Sequence, residues 1–248
     1  MHTVVLSTVW RLTAPIVATA FATSCTDHTS PTAPQGCPSP SNRILVDGSH
    51  DGGVWWFPQS GPFVADSPHQ GKALAEYLRS KGYAVDELGR GAVADAARLA
   101  GYSKVVRAGG FEPYSALELQ AYRALATCSV TILVLGELLS PGDLVDPPQE
   151  DPLAAELGVT LRGTFDGNIT TFASHPITAG VSSVPFNAGS EVDVSLSHSV
   201  QVLGWLETGA PVMGVVLNQR AKIFFIGDTN GIEGVPQPLV DNLVAWGF

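Results

Sequence analysis

From Arg43 onward, short apolar runs alternate with stretches whose apolar residues recur on one helical face. The first run, Ile44-Leu45-Val46, stops at Asp47-Gly48. A run that is apolar at every position suits a strand buried on both faces, the environment of a parallel sheet. A long loop rich in Gly, Trp and His follows, then Gly71 to Lys81 with apolar Ala73, Leu74, Tyr77 and Leu78. That spacing predicts a helix with one buried face, stopped by Gly82 as a C′ glycine. Tyr83 to Leu88 reads as the second strand. Strand, helix and strand make a βαβ unit, whose crossover should be right-handed.

Ala92 to Ala100 could form a short helix. Lys104-Val105-Val106 could be a third strand, weakened by the charged residue on each side. Ser115 to Ala126 predicts a helix, with Ser115 as N-cap, Glu118 completing a capping box, and Leu117, Tyr122 and Leu125 as apolar surface. Val130 to Leu135 is the most hydrophobic run and should be a central strand, ending in Gly136-Glu137. Residues 141–200 hold many Pro, Gly, Ser and Thr and read as irregular and partly antiparallel. Pieces there are a short helix at Pro152–Leu157 and β-like stretches at Val159–Leu161 and Ile169–Phe172. Val200–Leu206, Val212–Leu217 and Lys222–Ile226 read as strands, the last ending in Gly227-Asp228. Pro238 to Trp246 predicts a closing helix with Leu239, Leu243 and Trp246 on one face. No internal repeat and no second domain is visible.

Residues 1–24 do not pattern as fold. Leu12 to Ala22 is an Ala-rich apolar run of h-region length, too short to span a bilayer as a mature helix. It ends in Ala22-Thr23-Ser24-Cys25, small residues before a cysteine, as in a bacterial lipobox with Cys25 as the lipidated residue. Plain secretory cleavage nearby and a misplaced start are the alternatives. Residues 25–42 are rich in Pro, Ser and Thr and behave as a tether. The folded domain is then 43–248, exported and lipid-anchored at the cell or outer membrane, or otherwise periplasmic or extracellular.

Bulk composition narrows the function. Apolar residues make up 45% of the 248 positions, enough for one sizeable core. The formal charge of −10 argues against a nucleic-acid partner, which needs a basic footprint. The three cysteines, Cys25, Cys37 and Cys128, are too few and scattered for a disulfide framework or a zinc site. Cys37 reads as an incidental exposed thiol; the alternative is a disulfide to Cys128, for which the sequence offers no support.

Four pieces together carry a resemblance: the opening ILVDGSHD, the helix-strand pair LELQAYRALATCSVTILVLGE, the motif HPITAGV at His175 to Val181, and the ending AKIFFIGDTNGIEG with LVDNLVAWGF. Their order over residues 43–248 resembles the class I glutamine amidotransferase-like superfamily, and more closely a bacterial branch of uncharacterised domains lacking the catalytic cysteine. The N-terminal domain of an intraflagellar transport protein is similar to the same branch. The resemblance implies an α/β, three-layer sandwich with a mostly parallel, flavodoxin-like central sheet. Members with glutaminase activity carry a cysteine on a Gly-x-Cys-x-Gly turn after the central strand, where this chain has Leu135-Gly136-Glu137-Leu138-Leu139. Cys128 lies before that strand, at the wrong end of the sheet, and His198 is followed by Ser199-Val200 rather than by a His-x-Glu pair. A thiolate needs a base and an oxyanion hole, so glutaminase chemistry is not expected.

Ligands of an open parallel sheet bind outside the strand carboxyl ends. Asp47, His50, Asp51, Glu137 and Asp228 stand at such ends and would serve as general acids and bases if they converged. The structural alternative is ordinary turn and cap chemistry. Trp55, Trp56 and Phe57 in the first loop could stack on a sugar or a partner, or fold back over the sheet edge. His69 and His175 have local readings. The expected function is a non-catalytic ligand- or protein-binding module at the bacterial envelope, binding through Trp55, Trp56, Asp47 and Asp228. It needs no cofactor or metal, its partner is an unknown ligand or envelope protein, and it meets the membrane only through the lipid anchor. The alternative is an envelope hydrolase of carbohydrate or ester substrates.

Overall fold

The computed structural model describes residues 36–50, 70–109, 112–137, 151–197, 199–235 and 238–247. The expectations for residues 1–24, Cys25, Asp51, Trp55, Trp56, Phe57, His69 and His198 lie outside them. In chain order the elements are β1 (Arg43–Asp47), α1 (Lys72–Ser80), β2 (Ala84–Leu88), α2 (Ala96–Leu99), β3 (Lys104–Ala108), α3 (Ala116–Ala126), β4 (Thr131–Leu135) and α4 (Pro152–Glu156). Then come β5 (Leu161–Phe172), β6 (Val184–Val192), β7 (Val200–Leu206), β8 (Pro211–Val216), β9 (Lys222–Ile226), α5 (Asn230–Glu233) and α6 (Leu239–Trp246). Among the described residues no helix is long and apolar enough to cross a membrane.

All nine of these strands form one sheet in the order β2-β1-β3-β4-β9-β8-β7-β5-β6. The expected mostly parallel, three-layer sandwich is not what forms. The pairs β1–β2, β1–β3, β3–β4 and β4–β9 are parallel, but β9–β8, β8–β7, β7–β5 and β5–β6 are antiparallel, and the antiparallel strands are the longer ones. The sheet is therefore mixed, with β9 as the border strand. The segment read as irregular hides two long strands. In β5 the register shifts between Arg162 and Phe165 and again between Phe165 and Gly167, with Gly163 and Gly167 at positive φ. In β6, Pro185 and the left-handed Ala188 interrupt the run. Bulges of this kind destroy the period-two alternation that marks a strand in sequence.

The parallel half is built as its pattern implies. Ile44, Val46, Val106, Leu133, Phe224 and Ile226 pack on one face with Leu74 and Leu78 of α1 and Leu239 and Leu243 of α6. Leu45, Val105, Ile132, Val134, Ile223 and Phe225 point to the other face, where Leu99, Tyr122, Leu125 and Leu153 meet them. Helix α3 begins as expected: Ser115 accepts from the Glu118 N–H, and the Glu118 side chain returns to the Ser115 N–H. Edge strand β2 carries Asp86 and Glu87, paired with Arg43 at 2.7 Å and Arg79 at 3.1 Å. Charges on an edge discourage pairing with another sheet.

The cysteine expectation is also corrected. Cys37 and Cys128 form a disulfide across 91 residues, with Cα atoms 5.4 Å apart. The sequence gives no cue because the partners meet only after α3 packs beside the segment entering β1. That segment is further held by the Ser41 N–H donating to Ser103 Oγ at 3.1 Å and by Lys104 Nζ donating to the Ser41 carbonyl. Closing so long a loop restricts the unfolded chain. Cys128→Ser is expected to lower stability by about 2–4 kcal/mol in urea unfolding without reductant. An unchanged midpoint would show that the bond adds nothing to the fold.

Candidate functional site

The carboxyl ends of the parallel strands carry two polar groups. The first lies beyond β1 and β3. Asp47 is fully buried. The Ser49 N–H and hydroxyl donate to its Oδ1 at 3.0 and 2.6 Å, and the Tyr122 and Tyr114 hydroxyls donate to Oδ2 at 2.5 and 3.4 Å. Burial, with Asp47 beside them, holds both phenols well above their usual range, so they remain donors. Asp47 is thus an acceptor filled by its own neighbours.

His50 Nε2 lies 3.0 Å from Glu118 Oε1, and its ring packs against Tyr114 with centroids 3.9 Å apart. Glu118 also accepts from the Ala94 N–H at 3.0 Å and the Ser115 N–H at 2.9 Å. Burial works to raise its pKa, but His50 and these N–H donors outweigh it and hold the carboxyl at about 2. The Glu118 carboxylate therefore fixes the imidazole, the relation of an orienting acid to a base. Beside this group Arg107 is fully buried, ion-paired with Asp151 and donating to the Gly109 carbonyl at 2.7 Å, while its Nε has no partner.

The second group lies beyond β4 and β9, where an amidotransferase would carry its nucleophile. Here β6 crosses the strand ends. The Ser190 N–H donates to the Gly227 carbonyl at 2.8 Å, and Ser190 Oγ donates to the Glu137 carbonyl at 2.9 Å. The approach admits no side chain. A Cβ on Gly227 would lie 1.8 Å from the Ser190 carbonyl oxygen, and one on Gly136 would lie 2.8 Å from Leu161 Cδ1. Asp228, fully buried, accepts from the Asn187 N–H of β6 at 2.5 Å and the Asn230 N–H at 2.9 Å. The Thr229 hydroxyl donates to Glu137 Oε2. Burial pushes the Asp228 carboxyl up to about 7, opposed by its two N–H donors and helped by the nearby Glu137 and Glu233 charges.

Asp47 and His50 thus fall in one group, and Glu137 and Asp228 in the other. Among the described residues no set of three or more His, Cys, Asp or Glu side chains gathers that could hold a metal ion. His175 is a local cap, its Nδ1 accepting from the Ile177 N–H at 3.2 Å. Sequence reasoning missed Glu118 as a partner of His50, along with Tyr114, Arg107, Thr229 and Ser190. One signal was present: an arginine in an otherwise apolar strand, KVVRA, demands a buried partner. Near the second group a crevice of about 620 Å³ opens between the start of α1 and α5, lined by Gln70, Lys72, Glu76, Pro185, Asn230 and Glu233 among others.

No family model and no curated protein matches the chain. Among solved structures it is similar to the mmIFT52 N-terminal domain, at 12% identity and TM-score 0.55 over 82% of this chain and 94% of that one. It is also similar to a cytoplasmic protein from Salmonella typhimurium, at 12% identity and TM-score 0.56 over 83% and 98% of the two chains. A third is a putative ThuA-like protein from Bacteroides uniformis, at 13% identity and TM-score 0.53 over 88% and 94%. At these identities the likeness concerns the fold alone.

Two pH effects follow from the buried carboxyls. The folded pKa of Asp228, about 7, lies above its ordinary 3.8, so the folded chain binds the extra proton. Its stability contribution is complete below about pH 4 and is lost as pH rises through about 7. Asp228→Asn should flatten unfolding free energy across that window by on the order of 3 kcal/mol, and an unchanged slope would refute the assignment. Glu118 has the opposite sign: its contribution is present above 4.5 and lost as pH falls through about 2. Glu118→Gln should destabilise the chain at neutral pH by about 1–3 kcal/mol while weakening its acid sensitivity; equal acid midpoints for both chains would contradict this.

Proposed function

We propose that the chain is a non-catalytic ligand-binding module, exported to the bacterial cell envelope and anchored there through a lipid on Cys25. The observation that carries the first part is the closure of the strand ends by β6. At the ends of β4 and β9, Gly136 and Gly227 have no room for a side chain, and the Ser190 N–H and hydroxyl bond the Gly227 and Glu137 carbonyls. Asp47 and Asp228 accept hydrogen bonds from their own neighbours on both oxygens, which leaves them poor general bases. The crevice near Asp228 offers polar groups to a small ligand, in the size range of such sites. The Cys37–Cys128 disulfide supports export, because reducing compartments keep thiols unpaired.

One observation favours a second reading, an envelope hydrolase of carbohydrate or ester substrates. His50 is held by Glu118 as a general base is held by its orienting carboxylate.

The two readings separate in one assay. Incubated with glutamine or with p-nitrophenyl acetate, the chain should release ammonia or nitrophenol no faster than buffer. Turnover that His50→Ala abolishes would overturn the binding reading in favour of the second. For the anchor, mass spectrometry of membranes from cells expressing the whole chain should find acylated Cys25, and Cys25→Ser should release the domain. Recovery of the unaltered chain in the soluble fraction would refute the anchor.

A further inference from the structure

The amino ends of the parallel strands have a chemistry of their own. Strands β1, β3 and β9 open on Arg43, Lys104 and Lys222, whereas β1 ends on Asp47 and β9 runs into Gly227-Asp228. Lys104, Thr131 and Lys222 stand in one cross-strand row, and Arg220, just before β9, is exposed. Arg43 is paired with Asp86. The other three hold neutral oxygens: Lys104 Nζ donates to the Ser41 carbonyl, Arg220 Nε to Ser129 Oγ at 3.1 Å, and Lys222 Nζ to the Trp246 carbonyl. None of them makes an ion pair among the described residues. Aromatic rings lie under the same cations. Arg43 stands 4.7 Å from the Tyr102 ring, Lys104 5.7 Å from Tyr83 and Lys222 5.5 Å from Trp246. Tyr83 and Trp246 are only partly buried, and Leu217, in the β8–β9 turn beside Arg220, is 43% exposed. The chain also enters the domain at this end, where Cys37 is bonded to Cys128 just past α3 and Ser41 to Ser103 just before β3.

We propose that this end of the domain is a membrane-facing surface that rests on anionic lipid headgroups, with the strand carboxyl ends pointing away from the bilayer. Lys104, Arg220 and Lys222 would meet lipid phosphates, as basic groups beside an anionic leaflet do. Tyr and Trp rings with a polar edge settle at headgroup depth, and Leu217 supplies apolar contact beside them. Eleven residues separate Cys25 from Cys37, which at full extension reach about 40 Å, so the tether permits this contact without imposing it. An overall charge of −10 works against any other orientation on an anionic surface. This inference rests on the anchored reading and adds an orientation to it.

Cosedimentation of the purified Cys25→Ser chain, which carries no lipid, would compare vesicles of phosphatidylcholine alone with vesicles of equal parts phosphatidylcholine and phosphatidylglycerol. The chain should bind the anionic vesicles about tenfold more tightly, and added salt should weaken that binding. Arg220→Gln and Lys222→Gln should each cost about fivefold and Arg162→Gln, on β5, nothing, with circular dichroism confirming that all three fold. A polarity-sensitive dye attached through Leu217→Cys should shift to the blue on the anionic vesicles, and one attached through Glu207→Cys, in the β7–β8 turn at the other end, should not. Equal affinity for the two vesicles, or affinity that Arg220→Gln and Lys222→Gln leave unchanged, overturns the lipid-binding surface. A shift at position 207 with none at 217 overturns the orientation. Retention on heparin without vesicle binding gives the surface to a polyanion and overturns the lipid. The anchor is read separately: acylated Cys25 with no vesicle preference sinks the surface alone, whereas an unacylated native chain in the soluble fraction sinks the reading on which it rests.

Discussion

Ser190 and Gly227 meet main chain to main chain, N–H to carbonyl at 2.8 Å, and the rest of the strand-end architecture depends on that approach. It brings the β5–β6 hairpin across the ends of β4 and β9. Once there, the hairpin places the Asn187 N–H on Asp228 and the Ser190 hydroxyl on the Glu137 carbonyl. The backbone groups that the crossing buries are thereby paired, as buried polar groups must be. Adding any side chain at Gly227 would drive the hairpin off and expose two carboxyls at once.

The other side of the parallel half solves the same problem with side chains. Asp47, at the end of β1, gathers hydroxyls from Ser49 and two tyrosines, while Arg107 at the end of β3 takes Asp151, which also caps α4 through the Leu153 and Ala154 N–H groups. A buried ion pair is weak evidence for stability but strong evidence for a fixed geometry once further bonds satisfy it. Here it ties β3 to the helix that leads into the antiparallel half.

The parallel half was legible because β1, β4 and β9 are short, mostly apolar runs and each long helix keeps a stripe. Ser115 and Glu118 announced their capping box outright. The antiparallel half was not, since Gly163, Gly167, Pro185 and Ala188 break alternation where the strands bulge or turn. Asp47 and Asp228 were found as strand-end acids, but sequence does not reveal what fills their oxygens, because Tyr122 lies 75 residues from Asp47 and Asn187 lies 41 from Asp228. Glu118 was read for its local bond and not for His50, 68 residues away. Contacts across such separations exist only after the strands have been ordered, and no local pattern encodes that order.

The Cys37–Cys128 bond also makes a covalent ring. Strands β1, β2 and β3 and helices α1 to α3 all lie between its two ends. A peptide bond cut anywhere inside that span leaves both pieces joined. A nicked molecule would run at full mass on a non-reducing gel and as two fragments after reduction, so the ring keeps three of the nine strands joined to the rest after a protease has cut it.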